Sequence, residues 1–167
     1  PMTFLLLVKK VLDRMLETLV MVVVAVLVLD VLLQVFTRFV LNKPSSWTEE
    51  LAVFMLIWVS LLGAAVALGR GAHLGIDYFV GKLPKRVRLA TEVFVFFCVG
   101  AFSFLVMVLG GIDLVRSTLE LGQPSPALNV QMGHVYLAVP ISGFFLTLYA
   151  VIALVERLRT LLGKDST

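Results

Sequence analysis

Four stretches of the chain stay apolar for the length of a long helix: residues 16–41, 51–68, 87–112 and 135–155. None shows the sustained alternation of apolar and polar residues that marks a half-buried strand, and each is longer than an ordinary strand. They predict helices. Crossing the roughly 30 Å hydrocarbon layer of a bilayer takes about 20 mostly apolar residues, and in lipid only helices or closed barrels satisfy every backbone polar group. The pattern predicts an all-α, polytopic membrane protein with four transmembrane helices.

Polar punctuation separates the runs: Asn42-Lys43-Pro44-Ser45-Ser46, then residues 70–88 with Pro84, then Gly122-Gln123-Pro124-Ser125-Pro126. All three connections are short and no internal repeat or low-complexity tract occurs, so residues 1–167 read as one domain. The middle connection mixes charges with Leu74, Ile76, Tyr78 and Phe79, as a segment lying in the cytoplasmic membrane interface would. Pro140 is expected to kink or reorient the fourth span near its start.

Composition sharpens the class. Of 167 residues, 60% are hydrophobic and the mean hydropathy is +1.03, which leaves no material for a catalytic domain outside the membrane. The net charge of +3 does not point to nucleic acid, because the basic residues flank apolar runs and form no groove-sized patch. Their distribution is a topology signal. Lys9, Lys10, Arg14, Arg70, Lys82, Lys85, Arg86, Arg88, Arg157, Arg159 and Lys164 fall on one side, against Arg38, Lys43 and Arg116 on the other. The positive-inside rule then places both termini and the middle connection in the cytoplasm. The first apolar run is too long for a signal-peptide core and lacks a small-residue cleavage site, so it is expected to remain as an anchor.

The stretch Trp47-Thr48-Glu49-Glu50-Leu51 opens the second span with two carboxylates. Ser46 followed by Glu49 has the form of a capping box, and acids complement the positive end of a helix. Trp47 suits the aromatic belt. Glu50 is left over, and Arg38, at the near end of the first helix, is the expected partner of Glu49 or Glu50.

Asp30 is the one acid deep in a span, about 20 Å along the helix from Glu17 at about 1.5 Å per residue. Asp30, Gln34 and Arg38 recur every fourth residue and share one stripe, read as a structural polar contact rather than a coupling-ion or proton site. In the second span Gly63, Ala64 and Ala67 belong to a small-residue ridge, the kind that lets helices approach closely in lipid. Arg88 and Glu92 are one turn apart, and Asp113, Arg116 and Glu120 extend the third helix beyond the membrane; all are expected to be solvated.

His73 and Asp77 can share a local hydrogen bond but make no metal site, and the topology puts His73 and His134 on opposite sides of the membrane, against a shared haem. Cys98, alone in an apolar run, reads as a small packing residue. No nucleophile–base pair, phosphate-cradling glycine loop or zinc spacing occurs. The expectation is a protein without catalytic, metal or cofactor residues.

Arg38-Phe39-Val40, Trp47-Thr48-Glu49-Glu50-Leu51, Trp58, Leu62-Gly63-Ala64, Arg70-Gly71-Ala72-His73 and Asp77 together resemble the DctQ-type family, the small membrane subunit of tripartite ATP-independent periplasmic (TRAP) transporters. The likeness covers residues 36–84 at the level of motifs and the whole chain in length and four-helix layout. It implies a bacterial inner-membrane symporter for organic acids. A periplasmic binding protein delivers the solute, a large membrane subunit moves it with sodium, and the small subunit scaffolds the large one and helps dock the binding protein. By the same resemblance Arg38, Trp47, Glu50, Arg70, His73 and Asp77 are structural or subunit-contact positions. Sialic acid and C4-dicarboxylates both fit as solutes. The rival reading is a self-sufficient proton-coupled exporter using Asp30; this chain is long for that class, and Asp30 sits among Val and Leu. A plain anchoring protein is a third reading, which residue patterns outside the family motif leave open.

Overall fold

The computed structural model describes residues 2–71 and 81–162, with side chains from residue 7 onward. Within them the helices are α1 (Met2–Phe39), α2 (Ser46–Gly69), α3 (Lys85–Phe102), a π-helical stretch (Ser103–Gly110), α4 (Gly111–Glu120), α5 (Met132–Tyr136) and α6 (Ala138–Leu161). Four helical stretches are long and apolar enough to cross a membrane: Leu7–Phe39, Ser46–Gly69, Lys85–Glu120 and Met132–Leu161. Their positions agree with the four apolar runs, and each is longer than its run, although the first stops at Phe39, two residues before its run ends. The expected interfacial segment of the middle connection, with His73 and Asp77, lies outside the described residues.

The helices pack as an open row. α1 leans on α2, α2 on α6, and α6 on α3 with its π-helical continuation, while α1 and α3 at the ends of the row do not pack together. Such a row has little interior. Its main cluster is Leu16, Leu62, Ala65 and Tyr149, with Trp58 and Phe145 packed against it. Elsewhere Val22, Leu29, Leu32, Phe36, Phe94 and Phe97 are exposed, as lipid-facing residues must be. In a bilayer the tails outside are as apolar as Leu, so helices associate through close packing and polar contacts.

Close packing is found between the third and fourth spans. A Cβ on Gly143 would lie 2.6 Å from Met107 Cβ and one on Gly111 would lie 3.1 Å from Pro140 Cδ. Only glycine admits that approach. Ser103 and Ser142 on the same spans are also fully buried. The predicted ridge at Gly63, Ala64 and Ala67 has a different setting: a Cβ on Gly63 meets nothing within 4 Å, and Ala64 is exposed. The face of α2 that packs within this chain runs instead through Leu62 and Ala65, both fully buried. Gly63 and Ala64 therefore open away from the described helices of this chain, while Ala67 is half-buried.

Two backbone features were not predicted in this form. The π-helical stretch widens the third span across Ser103–Gly110, directly where Met107 meets Gly143. Pro140 accompanies a one-residue interruption of the fourth span: α5 ends at Tyr136 and α6 restarts at Ala138, with Leu137 between them still in the right-handed helical region. A proline ring clashes with the carbonyl four residues earlier, which here belongs to Tyr136, and its missing N–H is harmless in a first turn. Cys98 is exposed, so it does not pack inside this chain as expected.

Candidate functional site

Polar side chains gather at the two ends of the row. One end carries Arg70, Lys85 and the basic tail of α6, and is called the basic end; the other carries the loops after α1 and α4.

At the loop end, α2 starts one residue earlier than its capping motif requires. Ser45 holds the N-cap position in extended conformation, makes no side-chain cap bond, and its Oγ is buried without a partner. The third helical position is then Thr48, whose hydroxyl donates to the Ser45 carbonyl at 2.8 Å and is fully buried. Glu49 falls one position late for a capping box. Its backbone N–H reaches the Ser45 carbonyl at 3.5 Å, and its side chain is exposed beside an exposed Trp47.

Glu50 has a partner that residue patterns did not reveal. Its Oε2 accepts the N–H of Ala127 at 2.9 Å and that of Leu128 at 2.7 Å. The loop presenting those amides is itself braced: Pro124 and Gln131 form an antiparallel bridge, the Ser125 N–H donates to the Val130 carbonyl at 2.8 Å, and the Val130 N–H donates to Ser125 Oγ at 3.1 Å. Asn129 takes a positive φ of 54° to close the turn. Two adjacent N–H groups aimed at one carboxylate make a charge-assisted clamp, shorter and stronger than neutral hydrogen bonds. The expected pairing of Arg38 with Glu49 or Glu50 is corrected accordingly: among the described residues Arg38 makes no ion pair. An exposed guanidinium at the end of α1 is already hydrated and gains little from pairing.

The stripe on α1 is graded by depth. Asp30 is buried and its Oδ2 has no hydrogen-bond partner, Gln34 is half-buried, and Arg38 is exposed.

At the basic end two carboxylates tie neighbouring helices. Glu17 on α1 accepts from Arg70, the residue capping α2, at 2.7 Å; the bond to Glu17 holds the Arg70 guanidinium above its ordinary pKa. Glu92 on α3 accepts from Arg88 at 3.0 Å, and Arg157 Nε on α6 lies 2.8 Å from its other oxygen. That second contact is an ion pair by distance without the alignment of a hydrogen bond. Glu92 is only 9% exposed, so the expectation of a solvated Arg88–Glu92 pair is corrected: it is a buried tie between the third and fourth spans. Arg116 and Glu120, 3.1 Å apart, are solvated as expected. Between the ties sits Tyr149, whose ring would be 3.1 Å from a Cβ on Gly69.

Among the described residues no three of His, Cys, Asp or Glu stand close enough to hold a metal ion, and His134 is exposed. Chemically, the arrangement can fasten helices and a loop.

Residues 27–160 match the sequence profile of the DctQ component of tripartite ATP-independent periplasmic transporters. The chain is 29% identical to the sialic acid TRAP transporter small permease protein SiaQ of Vibrio cholerae, over 95% of this chain and 90% of that protein. It is 32% identical to the C4-dicarboxylate TRAP transporter small permease protein DctQ of Rhodobacter capsulatus, over 56% of this chain and 41% of that one. It is also 29% identical to part of the sialic acid TRAP transporter permease protein SiaT of Haemophilus influenzae, a match covering 65% of this chain but 17% of that much longer protein. With a profile match spanning most of its length, including Asp30, the Glu50 clamp and the Glu92 tie, this chain belongs to the DctQ family, the small-permease component of TRAP transporters.

Proposed function

We propose that this chain is a passive scaffold for the large, sodium-coupled subunit of a TRAP transporter that takes up an organic acid across the bacterial inner membrane. The observation that carries the reading is how the ionisable groups are used. Glu17, Glu50 and Glu92 are all engaged in ties between segments of the chain, which hold the helices as a fixed row without forming a solute path. Support for a large partner comes from the Haemophilus protein, in which a region like this chain is a small part of one long permease. The small-residue ridge at Gly63, open on this chain's own side, suits contact with that partner.

The count of basic residues supports cytoplasmic termini, which turns the loop end toward the periplasm. There the clamped loop at Ala127 and Leu128, with the exposed Trp47, offers a rigid platform to a periplasmic substrate-binding protein. No catalytic step is assigned to the chain, and no cofactor. The solute is an organic acid of the kind named for its relatives, sialic acid or a C4-dicarboxylate. The exporter reading built on Asp30 is set aside by the family result.

Co-expression with a large TRAP permease subunit from the same organism tests the proposal. The reading expects the two chains to copurify in fixed ratio and solute uptake to need both; uptake by the large subunit alone at the full rate would contradict it.

A further inference from the structure

α1 and α6 both lean on α2 and hardly on each other, and an apolar groove of about 630 Å3 opens between them. Val11, Leu19, Val22, Ile141 and Phe145 line it, and Arg14 is the one charged residue in its wall. Arg14 is exposed and makes no ion pair among the described residues. The neighbouring acids turn elsewhere, Glu17 to Arg70 and Asp13 toward Tyr149. Lys10, one turn before Arg14 on the same stripe, is exposed too. Arg14 and Arg38 are about 36 Å apart along α1 at about 1.5 Å per residue. With Arg38 at one membrane face, the Arg14 guanidinium therefore stands in the headgroup layer of the other.

An apolar slot open to the lipid, ending at headgroup depth in cations that make no ion pair among the described residues, has the chemistry of a lipid site. We propose that the groove between α1 and α6 holds an anionic phospholipid, one acyl chain against Leu19, Val22 and Phe145 and the phosphate on Arg14 and Lys10. Basic pockets between helices capture anionic headgroups in this way. A tail gains little on leaving bulk lipid for the groove, since both are apolar. Preference for the bound lipid over its neighbours is therefore electrostatic and resides in the two cations. The lipid would fill the space between α1 and α6 beside their contact at Leu16 and Tyr149, whichever solute the complex moves.

The test uses the full chain with its large subunit, reconstituted in nanodiscs of equal parts phosphatidylglycerol and phosphatidylcholine, with retained lipids counted by native mass spectrometry after re-extraction. The expected result is roughly thirtyfold enrichment of phosphatidylglycerol, about fivefold for each of the two cations near the anionic headgroup. Replacing both cations, Lys10→Gln with Arg14→Gln, abolishes the preference while total lipid stays the same; Leu19→Trp, which fills the groove, lowers retention of both lipids. Equal retention in the unaltered protein, or a preference surviving the double replacement, overturns the proposal. So does a photo-crosslinker at Val22 that labels the large subunit instead of lipid, because the groove then belongs to a protein interface.

Discussion

Glu50 Oε2 lies 2.7 Å from the amide nitrogen of Leu128, 78 residues further along the chain. One carboxylate at the start of the second span thereby fixes the loop that leads into the fourth, and it takes the Ala127 N–H as well. A residue with no local partner proves to be the fastener of the whole loop end.

The clamp makes a first prediction. Hydrogen bonds to a charged acceptor contribute about 1.5–3 kcal/mol each, so Glu50→Ala should raise hydrogen exchange at the Ala127 and Leu128 amides by at least about tenfold. Glu50→Gln, which keeps a neutral acceptor, should fall between. Unchanged protection in Glu50→Ala would mean the loop holds itself through Ser125 and the Pro124–Gln131 bridge alone.

At the basic end the two i,i+4 pairs of the third span should behave differently. Glu92 is buried and shared by two arginines, whereas Glu120 is 68% exposed at its side chain. Thermal unfolding in detergent should show Glu92→Ala costing about 1.5–3 kcal/mol, because the buried carboxylate that joins two spans is lost, while the two arginines, each close to half exposed, regain water. Glu120→Ala should stay within about 0.5 kcal/mol. Equal effects of the two substitutions would contradict the buried tie.

Glycine positions separate internal packing from contact with a partner. Gly143→Leu places atoms where Met107 Cβ already sits 2.6 Å from a bare Cβ, and overpacking of this kind costs about 1–3 kcal/mol or more. At position 63 an added Cβ meets nothing within 4 Å, so the matching probe there is Gly63→Ala. It should leave the melting of the isolated chain unchanged and lower the yield of the complex with the large subunit. A matched loss of stability in the isolated chain would show that the ridge packs internally after all.

Arg38 supplies a fourth test. With no ion pair to break, Arg38→Ala should change stability by less than about 0.5 kcal/mol, and exchanging charges between Arg38 and Glu50 should not restore anything. A coupling energy above about 1 kcal/mol in a double-mutant cycle of the two would reinstate the pairing.

What the amino-acid pattern could reveal follows from the range of the physics involved. Span number and position were legible because each span satisfies the bilayer locally, through its own hydropathy and its own backbone hydrogen bonds. The Arg88–Glu92 contact was legible for the same reason, one turn apart on one helix. Its conversion into a buried tie was not, since Arg157 arrives from the far end of the chain. Glu50 and the amides of Ala127 and Leu128 are joined only once four helices have stacked, and backbone donors carry no residue signature. Ser46 looked like a cap because its spacing to Glu49 is right, yet a shift of a single residue in the helix start gave that position to Ser45. The widened turns at Ser103–Gly110 lie where Gly143 comes close, a contact that hydropathy does not encode. Arg38 was assigned a partner by proximity in the chain, where hydration of an exposed guanidinium was the stronger effect.

The central claim is that the chain fastens and positions, while the solute crosses through another polypeptide. Liposomes holding this chain alone, or with its large subunit and binding protein, can be scored for sodium-driven uptake of radiolabelled sialic acid and succinate. The account predicts uptake of one of them only in the complete system, and the same uptake when Asp30 is replaced by Asn. Transport by this chain alone, or its loss in an intact complex carrying Asp30→Asn, would contradict it.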